Sequence, residues 1–455
     1  MSIRSINPTN GKEVGSYELH HAAEVNQKIL QTHNAWKGWQ KTSRTARKEK
    51  LKNTAKTLRQ NKNRLARLMA LEMGKPLKAG VAEIDKCADV CDYYADNLEN
   101  FLAVHEIRTD ASNSYVAFEP LGVILAIMPW NFPFWQVFRF LAPALAAGNC
   151  AVLKHASNVP GCALAIEETL KESGFPEHVF QTLLVGSEAV NSIIENPMIS
   201  AVTLTGSVDA GKKVAATAGS VLKKTVLELG GSDAYIILED ANLEQAAETC
   251  VNSRLINSGQ SCIAAKRFIV VTEVYEEFLQ LFKEKMASRI MGDPLDEKTE
   301  VGPQARIDLR DQLHKQVLTS IERGAQCILG GTITEGNHAF YPPTILTKVM
   351  KGMPAYDEEL FGPVAAIIRV ENELEAINVA NDTIFGLGAA VFSKDIKRAE
   401  SIAAQSLLAG SCFVNSLVRS DPRLPFGGIK QSGYGRELSV YGIREFVNIK
   451  TVYVK

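Results

Sequence analysis

The chain has 455 residues, of which 46% are hydrophobic and 22% are charged, a balance typical of a globular enzyme with two or more domains. Its 50 basic and 51 acidic residues nearly cancel, so the overall charge favours no acidic partner. The 8 cysteines form no CxxC pair and no cluster with zinc-ligand spacing, which predicts free thiols, a reducing compartment and no bound metal. The first residues lack the apolar core of a signal peptide, so we expect a cytoplasmic protein.

Two stretches could suggest other classes of protein. Leu121–Leu153 is almost wholly apolar and long enough to span a bilayer, but Pro129, Pro133 and Arg139 favour strands and a helix of a buried sheet. Lys41–Arg67 is strongly basic with leucines at near-helical spacing, and no base-reading motif accompanies it. We therefore expect a solvated helix face there, and neither a membrane nor a nucleic acid as a partner.

Taken in chain order, the first hundred residues are mostly helical in pattern, and Val104–Ala117 is rich in residues that favour strands. From residue 122 onward, short apolar segments alternate with helical ones and Gly-containing turns, which indicates a parallel, doubly wound sheet. The predicted elements of this first series are strands Gly122–Met128, Cys150–Lys154, Phe180–Val185, Ala201–Leu204 and Thr225–Leu229 and helices Trp135–Ala147, Ala163–Ser173, Ala189–Asn196 and Ala210–Gly219.

A second α/β series begins after Gly230 and Gly231. The tail Phe446–Lys455 is predicted to be a strand that pairs with Val104–Ala117, so the expected architecture is two α/β domains and a small β arm. The elements of the second series are strands Ala234–Leu238, Arg267–Val271, Pro363–Val370, Gly388–Phe392 and Cys412–Asn415 and helices such as Tyr275–Met286 and Ile396–Ala404.

The turn after the strand Ala201–Leu204 is a candidate dinucleotide site. It contains Gly206 and Gly211 and opens a helix, so backbone N–H groups and the helix N-terminus can approach a pyrophosphate. The GxGxxG fingerprint is absent, and many such turns carry glycine for backbone reasons alone. Both interpretations stay open on this segment alone.

Three further segments carry candidate catalytic groups. Cys262 follows small polar residues in a turn, whereas Cys150 lies within an apolar strand, so Cys262 is either an accessible nucleophile or an inert buried thiol. Glu228, at the end of a core strand, is either a general base or a helix-cap or ion-pair residue. Asn131, held between Pro129 and Pro133, can donate to an oxyanion or stabilise its own turn. Together they supply a nucleophile, a base and an oxyanion donor.

These segments resemble the signatures of the aldehyde dehydrogenase superfamily. The resemblance covers essentially the whole chain, because the motifs occur in order from the first hundred residues to the C-terminal region. The matching motifs are Trp130-Asn131-Phe132-Pro133, Thr205-Gly206-Ser207, Glu228-Leu229-Gly230-Gly231, Gly259-Gln260-Ser261-Cys262, Glu359-Leu360-Phe361-Gly362-Pro363 and Pro425-Phe426-Gly427-Gly428 with the residues that follow it up to Gly433.

The resemblance implies a role for each of these positions. Cys262 would attack the aldehyde carbonyl, Asn131 and the Cys262 backbone N–H would hold the oxyanion, and a hydride would pass to the nicotinamide. Glu228 would activate the water that hydrolyses the resulting thioester. The implied cofactor contacts are Glu359 and Phe361 at the nicotinamide ribose, with Trp130, Thr205, Gly206 and Ser207 also in the nucleotide site.

The resemblance also implies a fold and an assembly. A Rossmann-type dinucleotide-binding domain would comprise residues 1–101 and 121–229, and an α/β catalytic domain would comprise residues 230–430. Residues 102–120 and 431–455 would form a β arm that joins copies of the chain. We expect at least a homodimer, with a dimer of dimers left open.

The cofactor preference can be predicted from one departure from the family pattern. Relatives often place Glu three residues after a Lys to bind both hydroxyls of the adenosine ribose, but here Ser157 follows Lys154. A carboxylate would repel a 2′-phosphate, whereas a hydroxyl can bind it beside the charge of Lys154. We expect NADP to be preferred and NAD to be the weaker cofactor.

The substrate prediction depends on Arg139, which lies on the same predicted helix face as the Asn131 motif. An arginine among apolar residues needs an anion, either a buried ion-pair partner or a substrate carboxylate. The chain also resembles succinate-semialdehyde dehydrogenases, in which an arginine at this position and a residue near Ser420 bind the carboxylate. A further arginine of some relatives falls near Ile256 and is missing here. The residues expected to shape the apolar part of the pocket are Trp135, Ile263 and Phe426.

Three alternatives to succinate semialdehyde oxidation remain open. Glutarate semialdehyde or another short carboxylated or aliphatic aldehyde would suit the same residues. A CoA-acylating enzyme would use the same cysteine but typically lacks a Glu at position 228. A structural, crystallin-like role would need none of the three catalytic groups.

Overall fold

The computed structural model describes residues 2–333, 336 and 338–455. The strands are β1 (Ser2–Ile6), β2 (Glu13–Glu18), β3 (His105–Glu106), β4 (Asn113–Pro120), β5 (Val123–Met128), β6 (Cys150–His155), β7 (Phe180–Thr182), β8 (Ile199–Thr205), β9 (Lys224–Glu228), β10 (Ala234–Ile237), β11 (Arg267–Val271), β12 (Gln326–Leu329), β13 (Thr344–Thr347), β14 (Val364–Val370), β15 (Gly388–Phe392), β16 (Ser411–Val414), β17 (Gly433–Tyr434) and β18 (Val447–Val454). The α-helices are α1 (Ala22–Trp39), α2 (Arg44–Met73), α3 (Leu77–Phe101), α4 (Trp135–Ala147), α5 (Pro160–Glu172), α6 (Val190–Glu195), α7 (Val208–Ser220), α8 (Leu243–Leu255), α9 (Tyr275–Ala287), α10 (Ile307–Glu322), α11 (Pro354–Asp357), α12 (Glu373–Asn381), α13 (Ile396–Ser401) and α14 (Ser439–Glu445).

The first predicted series forms a six-stranded sheet in the order β17-β9-β8-β5-β6-β7. Strands β5 to β9 are parallel to one another, and their apolar sequences suit strands that are covered on both faces. Helix α4 has the predicted bounds, and all its residues are buried. The parallel arrangement brings the carboxyl ends of β5, β6, β8 and β9 to one edge, where the motif loops lie.

The second series forms a seven-stranded sheet in the order β12-β13-β14-β11-β10-β15-β16. Its interior strands are parallel, and β11 and β15 have the predicted bounds. The edge strand β12 runs antiparallel to β13 and was not predicted. The α/β architecture predicted from the sequence is confirmed, with mixed rather than wholly parallel sheets.

The N-terminal region differs from its helical prediction in two ways. Strands β1 and β2 form an antiparallel hairpin before the first helix. The basic face of α2 is ion-paired rather than simply solvated, because it packs antiparallel against the acidic face of α3. Lys52 lies 2.7 Å from Asp96, and Arg59 lies 2.7 Å from both Asp89 and Asp92.

The predicted pairing of the tail with the segment after the first hundred residues is confirmed. Strand β18 runs antiparallel to β4 from Val447 opposite Pro120 to Val454 opposite Asn113, and β3 completes a three-stranded sheet. The predicted arm boundary at residue 431 is wrong, because β17 pairs with β9 in the first sheet, where Gly433 lies opposite Glu228. Of residues 431–455, only β18 belongs to the three-stranded sheet.

The described part of the chain lacks two features. Within residues 2–333, 336 and 338–455, no helix is both long and apolar enough to cross a membrane. The same residues include no group of three His, Cys, Asp or Glu side chains that could hold a metal ion. All eight cysteines are free thiols, and Cys262 is one of three that are only partly buried.

Candidate active site

The turn that carries Cys262 has an unusual backbone. Asn257, Ser258 and Gly259 have φ angles of 52°, 57° and 78°, so three consecutive residues adopt the left-handed region. A Cβ atom at Gly259 would lie 2.2 Å from the carbonyl carbon of Gly362, so this position excludes any side chain. The glycine of the nucleophile motif therefore allows the Glu359–Pro363 motif to pack directly against the turn.

Hydrogen bonds from another segment hold this turn in place. The Oγ atom of Ser258 accepts from the N–H of Gly302 at 2.8 Å, and Oε1 of Gln260 accepts from the N–H of Ala305 at 2.8 Å. Left-handed backbone is unfavourable for residues other than glycine, and such strain persists where surrounding contacts enforce it. The position of Cys262 is thus set by the fold around it rather than by local preference.

The same turn positions the predicted oxyanion donor. The Asn131 side chain donates through Nδ2 to the carbonyl of Gln260 at 3.1 Å, and the Asn131 carbonyl accepts from Nδ2 of Asn257 at 2.7 Å. This reciprocal contact joins the two predicted motifs. A side-chain amide has two N–H groups, so the second can donate to an oxygen bound at Cys262.

The Cys262 thiol lies in a mostly desolvated setting with positive charges nearby. Burial raises the pKa of Cys262 to about 12, and the charges of Arg139 and Lys266 oppose that rise. Lys266, which the sequence analysis missed, is fully buried and donates to the carbonyls of Ser261 at 2.9 Å and Cys262 at 2.6 Å. Its ammonium also lies 3.3 Å from the carboxylate of Glu359. Lys266 therefore links the nucleophile turn to a predicted cofactor residue.

Glu228 ends β9 and is only 2% exposed. Neither of its carboxylate oxygens has a hydrogen-bond partner among the described residues. Burial raises the pKa of Glu228 well above its usual range; Arg139 opposes this effect and Glu437 reinforces it. A desolvated carboxyl of this kind favours its protonated form and is a strong base once the proton has left. That setting suits a general base.

The adenosine end of the predicted cofactor site lies at the carboxyl ends of β6 and β8. Lys154 is near the end of β6 and is half-buried, and Ser157 is exposed two residues beyond the strand. Thr205 ends β8, and Ser207 caps α7 by accepting from the N–H of Ala210 at 3.3 Å. An exposed hydroxyl, a nearby cation and a helix N-terminus fit a phosphorylated ribose and a diphosphate.

One backbone group predicted for the phosphates has another partner. The N–H of Gly206 donates to the Glu228 carbonyl at 3.0 Å and is therefore not available to a ligand in this structure. The N–H groups at the start of α7 that have no partner among the described residues are those of Val208 and Asp209, because the N–H of Ala210 donates to Ser207. The N–H of Gly206 thus joins β8 to β9. This is the second interpretation of the glycine in the sequence analysis, a role in the backbone rather than in phosphate binding.

The nicotinamide end of the predicted site is built by Glu359. Its carboxylate accepts from the N–H of Gly231 at 3.1 Å, and a Cβ at Gly230 would lie 2.5 Å from its other oxygen. The Trp130 and Phe361 rings meet edge to face, with centroids 5.7 Å apart. Glu359 and Phe361, which the resemblance implied for the nicotinamide ribose, thus lie against Gly231 and Trp130 respectively.

The predicted substrate residues share one cavity with the nucleophile. It has a volume of about 400 Å³, and Ile256, which stands where some relatives have a further arginine, also lines it. The predicted residues on its wall are Cys262, Arg139, Ser420, Trp135, Ile263 and Phe426.

Arg139 forms a buried ion pair with Glu437, the alternative to substrate binding that the sequence left open. The guanidinium also lies 4.7 Å from the centroid of the Phe426 ring and donates to Oγ1 of Thr205 at 3.4 Å. Its Nη1 group has no hydrogen-bond partner among the residues that the structure describes. Glu437 neutralises the charge of Arg139 but leaves part of its hydrogen-bonding capacity free.

A second cation on the cavity wall was missed by the sequence analysis. Lys86, on α3, donates to Oγ of Ser420 at 2.6 Å and lies 4.1 Å from the centroid of the Trp135 ring. No pattern in the sequence signals this contact, because Lys86 and Ser420 are 334 residues apart. Lys86 and Glu437 are therefore site residues that only the tertiary structure identifies.

The arrangement closely resembles known proteins. The chain matches the aldehyde dehydrogenase family over residues 1–452. A protein of Synechocystis sp. named probable succinate-semialdehyde dehydrogenase (NADP+) is 48% identical over 454 residues, covering 100% of both chains. A succinate-semialdehyde dehydrogenase (NADP+) of Mycobacterium tuberculosis is 46% identical over 457 residues, again covering 100% of both.

A solved structure agrees with these relatives. Succinic semialdehyde dehydrogenase from Streptococcus pyogenes, in complex with NADP+, superposes with a TM-score of 0.97 at 38% identity, covering 99% of each chain. The family match spans nearly the whole sequence, and Cys262 lines one cavity with the predicted substrate residues. The chain belongs to the aldehyde dehydrogenase family.

Proposed function

We propose that this enzyme oxidises succinate semialdehyde to succinate, with NADP as the preferred cofactor and NAD as the weaker one. The observation that carries the proposal is that Cys262, Arg139 and Ser420 line a single cavity of about 400 Å³. The names of the relatives in Synechocystis and Mycobacterium support the same substrate and cofactor.

In the first half of the proposed reaction, the Cys262 sulfur attacks the aldehyde carbon. A carbon–sulfur bond forms, and the carbonyl oxygen takes the negative charge of a thiohemiacetal. The free N–H of the Asn131 amide and the Cys262 backbone N–H donate to that oxygen. Because burial raises the pKa of Cys262, the thiol must release its proton to solvent in the cavity as it attacks, and the charges of Arg139 and Lys266 favour the thiolate.

In the second half, Glu228 removes a proton from the water that attacks the thioester on Cys262. The carbon–sulfur bond breaks, which gives the carboxylic acid and the Cys262 thiolate and leaves the second proton of the water on Glu228. NADP, when bound, supplies the hydride acceptor between the two halves. The proton that Glu228 takes must leave before the next turnover, because the raised pKa of Glu228 favours the protonated form.

The proposed cofactor preference is supported by the exposed position of Ser157 beyond β6 and by Lys154 near the end of that strand. A hydroxyl there can bind a ribose phosphate, and a carboxylate would repel it. We assign Trp130, Thr205, Ser207, Glu359 and Phe361 to the same cofactor. Their placement at one edge of the first sheet and the adjoining Glu359 motif supports this assignment.

The proposed substrate contacts are Arg139 and Ser420 at the carboxylate and Trp135, Ile263 and Phe426 along the aliphatic chain. Glutarate semialdehyde, one methylene longer, is the nearest competing substrate. A CoA-acylating reaction is disfavoured, because a buried base at Glu228 has its use in hydrolysis.

We further propose a cytoplasmic homo-oligomer, at least a dimer, built through β3, β4 and β18. Strand β18 forms an edge of the arm sheet and exposes Ile449, Tyr453 and Val454, which a partner strand could cover. We also propose three domains: a cofactor domain of residues 1–101 and 121–229, a catalytic domain of residues 230–430, and the arm. Apart from β17, each of these domains would contain one of the three larger sheets. Light scattering of the purified protein tests the assembly.

The function is tested by steady-state kinetics with a panel of aldehydes and NADP as acceptor. We expect the highest kcat/KM for succinate semialdehyde, a lower value for glutarate semialdehyde and a much lower one for butyraldehyde, which lacks the carboxylate. Equal values for succinate semialdehyde and butyraldehyde would contradict the proposal. Formation of an acyl-CoA product on addition of CoA would favour the acylating alternative.

A further inference from the structure

Lys86 is the cation on the cavity wall whose charge no carboxylate neutralises. Its ammonium donates to Oγ of Ser420 at 2.6 Å, and among the described residues it forms no salt bridge, although Glu83 and Asp421 act on it from a greater distance. An ammonium has three N–H donors, so two remain for a further acceptor. The Trp135 ring, 4.1 Å away, supports the cation from the side but cannot neutralise it.

The other charged groups of the wall are already paired or are exposed. Arg139 is paired with Glu437, and Arg289 is paired with Glu300 at 2.9 Å. Arg419 lines the same cavity but is exposed to solvent, where its charge is screened. An anion that enters the cavity thus meets one partly buried, unneutralised cation, and it meets that cation beside Ser420.

On the basis of the proposed function, we infer that Lys86 is a specificity-determining residue that binds the substrate carboxylate together with Ser420. Charge-assisted hydrogen bonds of this kind are strong when solvent is largely excluded. The site therefore compensates for the missing arginine near Ile256 with a lysine from a different helix. An aldehyde without the distal carboxylate would leave the Lys86 ammonium with Ser420 as its sole side-chain acceptor.

The surroundings of Lys86 add a pH dependence to this selection. Burial and the charge of Arg139 lower the pKa of Lys86 to about 8. Three neighbouring groups act to raise that pKa: Cys87 and Glu83 on the same helix and Asp421 in the neighbouring loop. Free enzyme thus loses the ammonium as the pH rises through about 8. Above that pH, the kcat/KM for a carboxylated aldehyde should fall relative to that for an uncharged one.

The test compares kcat/KM for succinate semialdehyde with kcat/KM for butyraldehyde in wild type, Lys86→Met and Lys86→Arg. We expect Lys86→Met to lower the ratio by about tenfold to a hundredfold, the loss typical of a charged hydrogen bond. Lys86→Arg, which keeps the charge, should retain most of the ratio. Lys78→Met is the matched control, because Lys78 lies exposed on the same helix and outside the cavity.

A purely structural role for Lys86 would lower both activities alike and leave the ratio unchanged, which would overturn the inference. The pH profile of the same ratio in wild type provides a second measurement that does not depend on a variant that folds. A ratio that stays flat above pH about 8 would also count against Lys86. Failure of the proposed function is distinct, because it would appear as a wild-type ratio near one.

Discussion

The nucleophile turn, Asn257–Cys262, and the cofactor edge, Lys154–Ser157, are built in opposite ways. The turn has three consecutive left-handed residues that backbone and side-chain hydrogen bonds hold against neighbouring segments. At the cofactor edge, Ser157 is exposed and its side chain makes no hydrogen bond within the described chain. The surrounding fold thus imposes the geometry of the nucleophile turn. At the cofactor edge, the Ser157 side chain can be replaced without breaking a contact within the described chain.

This difference in construction suggests that the turn determines the rate of the reaction and the cofactor edge determines the choice of cofactor. Attack on a carbonyl requires the sulfur and the oxyanion donor to be held within a fraction of an ångström of their reactive positions. A strained but rigid turn meets that requirement. Choice between two cofactors requires only a difference in charge at one exposed point. Substitutions should therefore be severe in the turn and selective at the edge.

The largest expected effect is at the sulfur itself. Cys262→Ser should lower kcat/KM by at least about a thousandfold, because an alcohol is a far weaker nucleophile than a thiolate. The measurement is NADPH formation with succinate semialdehyde. Cys327→Ser, at another partly buried thiol outside the site, is the control and should retain activity. If the Cys262→Ser variant had the same kcat/KM as the wild type, the proposed covalent mechanism would be wrong.

The next effect compares two glycines, one in the turn and one near the C-terminal end of α7. Gly259→Ala should destabilise the protein by about 1–3 kcal/mol, because its Cβ would overlap the Gly362 backbone. Gly219→Ala, near the end of α7 with no atom within 4 Å of the new Cβ, should instead be neutral or stabilise by up to about 1 kcal/mol. Urea unfolding measures both, and equal effects would contradict the contrast.

The ionisation of the nucleophile can be followed directly. Because burial raises the pKa of Cys262 to about 12, the thiolate fraction should grow about tenfold per pH unit below that value. The rate of iodoacetamide labelling of Cys262, measured by mass spectrometry without cofactor, should rise accordingly between about pH 7 and pH 9. A rate that does not change with pH would mean that the thiol is already ionised in the free enzyme.

The mildest expected effect is at the cofactor edge. Ser157→Glu should shift the ratio of kcat/KM for NADP over NAD toward NAD by about tenfold or more, because the new carboxylate repels a 2′-phosphate. Ser157→Ala removes the hydroxyl without adding charge and should shift the ratio less. Thermal stability should not change, since Ser157 is exposed. An unmoved ratio would show that cofactor choice is made elsewhere.

The candidate catalytic residues could be singled out from the sequence because each one lies in a distinctive local segment. Cys262, Glu228 and Asn131 follow strands or turns whose composition is unusual, and their motifs occur in a fixed order. Interior strands such as β11 and β15 were predicted to the residue, because buried parallel strands are continuous apolar runs.

The parts that could not be predicted depend on distant partners. Lys86, Lys266 and Glu437 acquire their roles only when segments far apart in sequence meet. The short strands β12 and β17 have too few residues to show a periodicity, and each forms by pairing with an edge already present. Arg139 was ambiguous in sequence for the same reason, since its partner Glu437 is remote.

The C-terminal segment has a practical consequence for protein engineering. This segment starts at Phe426 on the cavity wall and continues into β17, which pairs with β9 next to Glu228. It then forms β18 of the three-stranded sheet. Trimming this segment back to Phe426 would remove β17, which pairs with β9 at the proposed base Glu228, as well as β18, the proposed contact between copies. Affinity tags and fusions are better placed before β1, and monomers are better sought by charged replacements on the outer edge of β18.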